Sequence, residues 1–254
     1  MISIPQSEPP LPAREILPTM YDLPSENPEE PGLPDDFHFL QPLLLFLTFL
    51  PVNWSQEQVY SAADLNLYYD VRHPQWYKRP DWFGVVGVPK LYEGRDLRLS
   101  YVTWQEGVNP FVVVELLSPG TEEELGETES KANKPPTKWK VYEQILRIPY
   151  YIVFSRYTNE IQAFHLVGGH YQAVDITQGT VPIPELGLNL GLWSGSFRNI
   201  DRLWLRWFTL EGELIPVPEE ELTVAKQEAQ AAQRKIEKLA EKLRELGVNP
   251  DELD

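Results

Sequence analysis

The stretch Phe111-Val112-Val113-Val114-Glu115-Leu116-Leu117 decides the fold, because it holds one carboxylate among six apolar residues. Pro110 precedes the run and Ser118-Pro119-Gly120 follows it. This pattern predicts a short strand that is buried on both faces. Burying Glu115 there costs on the order of several kcal/mol unless a cation or hydrogen bonds compensate. Glu115 is therefore the first candidate functional residue.

The elements around this run predict an α/β core. Asp81 to Val88, directly after Pro80, and Tyr150 to Phe154 indicate two more buried strands. Thr137 to Ile148 carries its apolar residues on one side, which is typical of a helix. The order strand, strand, helix, strand is that of an α/β fold. The other predicted elements are a buried helix over 37–47, a half-buried strand over 64–70, a hairpin that turns at Gly168-Gly169, and β segments at 186–188 and 204–208.

Composition excludes several classes of protein. The 254 residues are 42% hydrophobic, which is enough for a buried core. Because the chain has no cysteine, disulfides, cysteine-ligated zinc and thiol catalysis are ruled out. No apolar run is long enough to span a bilayer and no secretory signal is visible, so we expect a cytoplasmic protein without membrane contact.

The net charge of −16 argues against an extended basic surface for nucleic acid. The charge is unevenly placed, however. Residues 1–36 carry −7 and residues 219–254 carry −4, which leaves −5 for residues 37–218. A central domain of that charge still leaves room for a local basic strip.

The sequence divides into three parts. Residues 1–36 hold nine of the 24 prolines and are predicted to be an extended acidic arm. Residues 37–218 form the predicted domain, and residues 219–254 a terminal helix. Apolar or small residues recur in this helix at alternating steps of three and four: Leu222, Ala225, Ala229, Ala232, Ile236, Leu239, Leu243 and Leu246. Such heptad spacing favours a coiled coil and a homodimer over a single helix packed on its own domain.

Two carboxylates are candidates for a metal site. Asp81 begins one predicted strand and Glu115 lies near the end of another. If these strands are neighbours, both carboxylates meet at one edge of the sheet. Paired carboxylates with open coordination positions suit a hard cation such as Mg²⁺. A lysine on the following helix could then orient water or stabilise developing phosphate charge.

Four blocks of sequence carry a family resemblance: Pro80-Asp81, residues 113–121 (VVELLSPGT), residues 138–142 (KWKVY) and residues 148–153 (IPYYIV). Together they resemble the Uma-type (Uma two) restriction endonucleases, a family expanded in cyanobacteria within the PD-(D/E)xK nuclease superfamily. The resemblance is close over about 80–155 and looser to His38 and to roughly residue 195. It implies a restriction-endonuclease-like α/β (α+β) fold, a mixed sheet flanked by helices, to which the proline-rich arm and the C-terminal coiled coil are added.

The resemblance also implies roles for single residues. Asp81 and Glu115 resemble the two metal-binding acids, with the Leu116 carbonyl as a further ligand. Leu117 stands where the superfamily lysine normally lies, and Lys138 matches the displaced lysine of the Uma-type pattern. Accessory residues are also implied: Lys140 as the alternative lysine, His38, and Glu26 or Asp22 as an upstream acid.

Each of these assignments has a structural alternative. Asp81 could cap the start of a strand, Glu115 could form a buried salt bridge with an arginine, and His38 could be a hydrogen-bonding residue at a helix end. The functional prediction is a Mg²⁺-dependent endonuclease, with Mn²⁺ able to substitute, that hydrolyses DNA by metal-activated water. The alternatives are an inactive nuclease-fold interaction protein and a metal-dependent hydrolase of a small phosphorylated substrate.

Overall fold

The computed structural model describes residues 32–70, 72–73, 76–118, 135–176 and 179–246. Most of the predicted N-terminal arm, including Glu26, lies outside the described residues. In chain order the strands are β1 (Val59–Ala62), β2 (Leu67–Tyr68), β3 (Tyr77–Lys78), β4 (Trp82–Val86), β5 (Tyr101–Val102), β6 (Val112–Leu117), β7 (Tyr150–Ser155), β8 (Glu160–Val167), β9 (His170–Ala173), β10 (Thr180–Ile183), β11 (Leu188–Phe197) and β12 (Ile200–Thr209). The helices are α1 (Phe37–Thr48), α2 (Thr103–Glu106), α3 (Lys138–Lys140) and α4 (Pro218–Glu245).

A six-stranded mixed sheet forms the centre of the molecule. Its strand order is β1-β4-β6-β7-β8-β9. Only β6 and β7 are parallel, and all other neighbouring pairs in this sheet are antiparallel. The connection between the two parallel strands includes α3. The predicted fold class, a mixed sheet flanked by helices with a further C-terminal helix, is confirmed.

Two three-stranded sheets complete the β structure, with orders β3-β2-β5 and β10-β11-β12. The strand predicted over 64–70 is reduced to the two residues of β2. Asp64 has a φ of 50°, so the backbone turns at this position instead of continuing as a strand. β11 and β12 are ten residues each and pair along their whole length, much longer than the predicted β segments.

The helix predicted over 137–148 is shorter than expected and changes type. Thr137 caps it, and α3 runs directly into a π-helical turn over Val141–Ile145. Arg147, with a φ of 54°, ends this segment. In this turn the Leu146 N–H donates to the Val141 carbonyl five residues earlier, so the turn holds more residues than an α-helical one.

Apolar residues cover both faces of the central sheet. Val112 and Val114 of β6 belong to the core cluster that includes Leu44 of α1. Val113, on the opposite face, belongs to a second cluster with Tyr142. This alternation explains why the β6 sequence is apolar throughout, since both of its faces are covered.

The C-terminal helix α4 has no buried residue along its 28 residues. The alternative that it packs its apolar face on its own domain is therefore not observed. The coiled coil stays a prediction. Among the described residues, no helix combines the length and the apolar character needed to cross a membrane.

Candidate active site

The strand register brings Asp81 and Glu115 together. β4 and β6 are antiparallel, with Trp82 opposite Val114. One step further along the same register, Asp81 is opposite Glu115. The backbone N–H of Leu116 donates a hydrogen bond of 2.6 Å to Asp81 Oδ2, which fixes this carboxyl group against β6. The predicted convergence of the two carboxyl groups is what the structure shows.

Helix α3 and its π turn supply the groups that face Glu115. Period-two alternation places the Glu115 side chain on the same face of β6 as Val113, toward this helix. Lys138 Nζ donates to Glu115 Oε2 at 2.9 Å, and Tyr142 Oη donates to Glu115 Oε1 at 2.8 Å. Residues four apart lie near one another on one face of a helix, so both donors reach the same carboxylate. The buried salt bridge considered for Glu115 exists, but its partner is a lysine.

Burial dominates the electrostatics of the site. Glu115 is 1% exposed. Burial, together with the nearby Asp81 carboxylate, raises the pKa of Glu115 to about 7, although Lys138 and the Tyr142 hydroxyl act in the opposite direction. Burial also raises the pKa of Asp81, against the effects of Lys138 and of the Leu116 N–H. When both carboxyl groups are ionised, their charge exceeds that of Lys138, the one lysine among the described residues that forms an ion pair with Glu115.

His38 contacts the site through the Leu116 carbonyl. It lies in the first turn of α1, is 3% exposed, and its Nε2 is 3.3 Å from the Leu116 carbonyl oxygen. Its Nδ1 lies 2.8 Å from Asp35 Oδ1. Asp35 therefore orients the His38 ring toward β6. A carbonyl oxygen has two lone pairs, so the Leu116 oxygen retains one when it accepts from His38.

Lys140 is not part of this cluster. Its side chain is exposed, and only its backbone N–H contacts a neighbouring side chain, that of Thr137, at 3.4 Å. Two positions along a helix correspond to roughly opposite sides of it, so α3 cannot direct both Lys138 and Lys140 to Glu115. Glu26 lies outside the described residues.

The comparisons with known proteins identify the family. The family model of Uma2, described as "Putative restriction endonuclease", matches residues 15–201, about three quarters of the chain. The chain belongs to the Uma2 family. Among curated proteins, none matches it.

One solved structure similar to this Uma2 protein is from Anabaena variabilis, described as "a putative nuclease belonging to DUF820". The sequence identity is 14% and the TM-score 0.34, and the match covers 52% of this chain and 63% of that chain. The matched part is thus less than two thirds of that protein's length. A likeness at this level carries no argument about the site.

The residues of this Uma2 protein fit a hard divalent cation. Asp81 and Glu115 are opposite each other in the strand register, and burial raises the pKa of both carboxyl groups. A divalent cation bound by them would offset the negative charge of the two carboxylates. The donors available are two carboxylates and the Leu116 carbonyl, all oxygen atoms of the kind Mg²⁺ prefers. No group of three or more His, Asp or Glu side chains with metal-binding geometry exists in the described ranges, so water would have to complete the coordination sphere.

Sequence reasoning missed two residues of this arrangement. Tyr142 was noted only as part of a motif, and its hydroxyl proves to be a direct partner of Glu115. Asp35 was assigned to the N-terminal arm, although it holds His38 in place. The spacing Lys-x-x-x-Tyr was the available signal for Tyr142, because it puts both side chains on one helix face. Asp35 and Asp36 are predicted as acids at the N-terminal end of the helix, but nothing in the sequence relates Asp35 to the His38 ring.

Proposed function

We propose that this Uma2 protein is an endonuclease that hydrolyses DNA phosphodiester bonds with the aid of Mg²⁺, or of Mn²⁺ in its place. The observation that carries the proposal is the Lys138–Glu115 contact of 2.9 Å beside the partly buried Asp81. Two carboxyl groups and one ammonium group lie at the same edge of two neighbouring strands. They provide cation ligands and a positive charge in one place. Membership of a family described as restriction endonucleases supports this assignment.

Each residue has a distinct role in the proposal. Asp81, Glu115 and the Leu116 carbonyl hold the cation, which when bound lowers the pKa of a water molecule and polarises the scissile phosphate. Lys138 orients the attacking water and offsets negative charge that develops on the phosphate. Tyr142 and His38 are positioning residues, since they hold Glu115 and the Leu116 carbonyl in place.

A second candidate function is an inactive interaction protein that keeps the nuclease scaffold. The Lys138–Glu115 ion pair favours it to some degree, because a buried salt bridge can have a structural role alone. The two functions differ in one respect that is simple to measure. A nuclease hydrolyses DNA repeatedly, whereas an inactive scaffold leaves DNA uncut.

The first test measures cleavage of supercoiled plasmid by purified protein with Mg²⁺ or Mn²⁺. Wild type and Glu115→Gln are compared, with Glu211→Gln as the control. Glu211 is exposed in the turn after β12, so this control makes the same chemical change away from the site. We expect nicking by wild type and by Glu211→Gln, and a loss of at least about 100-fold in Glu115→Gln.

Equal nicking by all three proteins would contradict the assigned site. If none of them cleaves DNA of varied sequence with either metal, the interaction protein becomes the better assignment. Thermal unfolding of each variant shows whether Glu115→Gln is folded.

A further inference from the structure

Two arginines converge on one aromatic ring beside the candidate active site. The guanidinium carbon of Arg202 lies 4.2 Å from the centre of the Phe37 ring, and that of Arg156 lies 5.8 Å from the same centre. Arg202 also lies 5.3 Å from the ring centre of Trp204, which stacks on Phe37 at 5.8 Å. Both cations therefore lie within 6 Å of the centre of one buried aromatic ring.

This pair is connected to the active site through the sheet and through Asp35. In the parallel pairing of β6 and β7, Leu117 is opposite Ser155, so Arg156 follows β7 at the edge where β6 ends. Asp35 Oδ2 lies 2.8 Å from Arg156, while Asp35 Oδ1 contacts His38, whose ring reaches the Leu116 carbonyl. Arg156 thus follows the strand that pairs with the strand of Glu115. Asp35 connects Arg156 to His38.

Among the described residues, the charges in this cluster do not balance. Asp35 is the one carboxylate in the described residues that forms a salt bridge with Arg156, and it also serves His38. Arg202 has no salt bridge among the described residues, and its one hydrogen bond there runs from Nε to the Leu203 carbonyl at 3.3 Å. Arg156 Nε is buried without a hydrogen-bond partner in the described structure. Burial and the positive charge of Arg156 lower the pKa of Arg202, only partly opposed by Asp35.

Two other arginines with shielded side chains show what a structural arginine looks like in this protein. Arg98 forms two hydrogen bonds with Glu106, and Arg206 forms two with Glu220. Each has its own carboxylate. Arg156 instead shares its acid with a histidine, and Arg202 has no salt bridge among the described residues. In a chain with a net charge of −16, this pair of partly buried arginines points to an anion supplied by a ligand.

We propose that Arg156 and Arg202 form a phosphate-binding subsite, which holds a backbone phosphate of the nucleic acid next to the phosphate that is cleaved. The proposal rests on the proposed nuclease function and extends it. Guanidinium groups bind phosphate oxygens through paired N–H donors, and such contacts position a nucleic acid without reading its sequence. Phe37 and Trp204 restrict the Arg202 side chain, so little conformational freedom is lost on binding.

The experiment measures the affinity for a fluorescent DNA duplex by anisotropy across a range of salt concentrations, with Ca²⁺ replacing Mg²⁺. The variants are Arg156→Gln, Arg202→Gln and Arg202→Lys. Arg95→Gln is the matched control, since Arg95 is exposed in the β4–β5 connection. Loss of one phosphate contact reduces the slope of log affinity against log salt by about one and weakens binding about tenfold at 0.1 M salt. We expect this for both Arg→Gln variants, with the slope kept in Arg202→Lys and in Arg95→Gln.

Plasmid nicking by the same wild-type sample separates this proposal from the nuclease function. Nicking by wild type combined with unchanged slopes in Arg156→Gln and Arg202→Gln would overturn the subsite and leave the nuclease standing. Reduced slopes without any nicking would support the subsite and count against hydrolysis. If wild type neither binds nor nicks DNA, both proposals fall. Because Arg202 packs on two rings, thermal unfolding accompanies each variant, and Arg156→Gln provides the test if Arg202→Gln does not fold.

Discussion

At the scale of single residues, Lys138 and Lys140 are two positions apart and have different surroundings. Lys138 Nζ contacts Glu115 Oε2, whereas the Lys140 side chain is exposed. We predict that Lys138→Met lowers the rate of plasmid cleavage by about 100-fold or more, because it removes the charge that faces the phosphate. Lys140→Met should remain within about twofold of wild type. The measurement is the initial rate of nicking at saturating Mg²⁺.

The two lysine variants control for each other, since both replace the same side chain with Met in the same helix. Similar rates in both would show that Lys138 has only a structural role. A lower cleavage rate in Lys140→Met alone would mean that Lys140, not Lys138, faces the phosphate. That result would require α3 to rotate when DNA binds.

The sequence could predict the central acids of the site, because an acid in an apolar strand has an energetic cost that calls for an explanation. Glu115 is found from its own sequence context, and Asp81 from its position at a strand start. The two arginines of the proposed phosphate subsite could not be found in this way. Arg156 and Arg202 are 46 positions apart in the sequence, and nothing local relates either of them to Phe37.

At the scale of elements, Gln41 shows how an edge strand is protected. β12 is an edge of its three-stranded sheet. Gln41 of α1 donates to the Leu205 carbonyl at 2.7 Å and accepts from the Leu205 N–H at 2.9 Å, and it is fully buried. One side chain thus replaces the strand that would otherwise pair at this position.

We predict that Gln41→Leu lowers the free energy of unfolding by about 2–4 kcal/mol, because it leaves the Leu205 N–H and C=O buried without partners. Urea unfolding measures the change. Gln172→Leu, at an exposed position of β9, is the control and should change stability by less than about 0.5 kcal/mol. A similarly small change in Gln41→Leu would mean that water reaches this edge.

The start of α4 is held by an ion pair that gives a pH-dependent contribution to stability. Arg206 is fully buried and its guanidinium donates to the Glu220 carboxylate, with Nη1 to Oε1 at 3.1 Å. Burial acts to raise the pKa of Glu220. The hydrogen bonds from Arg206 and from the Val217 N–H outweigh it and lower this pKa below its ordinary value of 4.5.

A carboxylate with a lowered pKa stabilises the fold above the unfolded value of 4.5, and this contribution is lost as the pH falls through the lower folded value. We therefore predict that Glu220→Gln lowers the free energy of unfolding at pH 7 by about 1–2 kcal/mol. The difference from wild type should shrink below pH 4.5. Glu221→Gln, one residue along and exposed, is the control in urea unfolding at several pH values. A difference that does not depend on pH would exclude the ion pair as its cause.

The elements that the sequence predicted least well are those with unusual turns. β11 and β12 are joined at Arg198-Asn199, where φ is 52° and 61°. Two consecutive positive φ angles are typical of the tight hairpin turn that Asn-Gly or Asp-Gly usually signals. Arg-Asn gives no such signal. The strand around Gly191 and Gly195 also lacks the continuous apolar run that makes β6 and β7 visible in the sequence.

At the scale of the whole molecule, the apolar seam of α4 is exposed. Leu222, Ile236 and Leu239 are 55%, 59% and 53% exposed, and the helix of 28 residues is about 42 Å long. Regular heptad spacing on a helix with no buried residue is typical of a helix that pairs with another helix in a coiled coil. We infer that a second copy of the chain covers this face, as the spacing predicts.

We predict that the protein has twice the 29.4 kDa mass of one chain in light scattering, and that Ile236→Lys halves this mass. The substitution places a charge in the middle of the seam, where two copies would meet. Gln227→Lys adds the same side chain on the opposite face of the helix and should remain a dimer. A wild-type protein with the mass of one chain would contradict the prediction.

The oligomeric state also bears on the cleavage product. A symmetric dimer can present two copies of the Asp81–Glu115 site to the two strands of a duplex. If both sites act in one encounter, wild type gives linear plasmid, whereas Ile236→Lys gives mainly nicked circles at an equal concentration of active sites. Because Ile236 is exposed on α4 and is not one of the proposed site residues, the rate of nicking per site should be unchanged. If the monomeric variant gives the same ratio of linear to nicked plasmid as wild type, pairing of the α4 helices is not needed to bring two sites to one duplex.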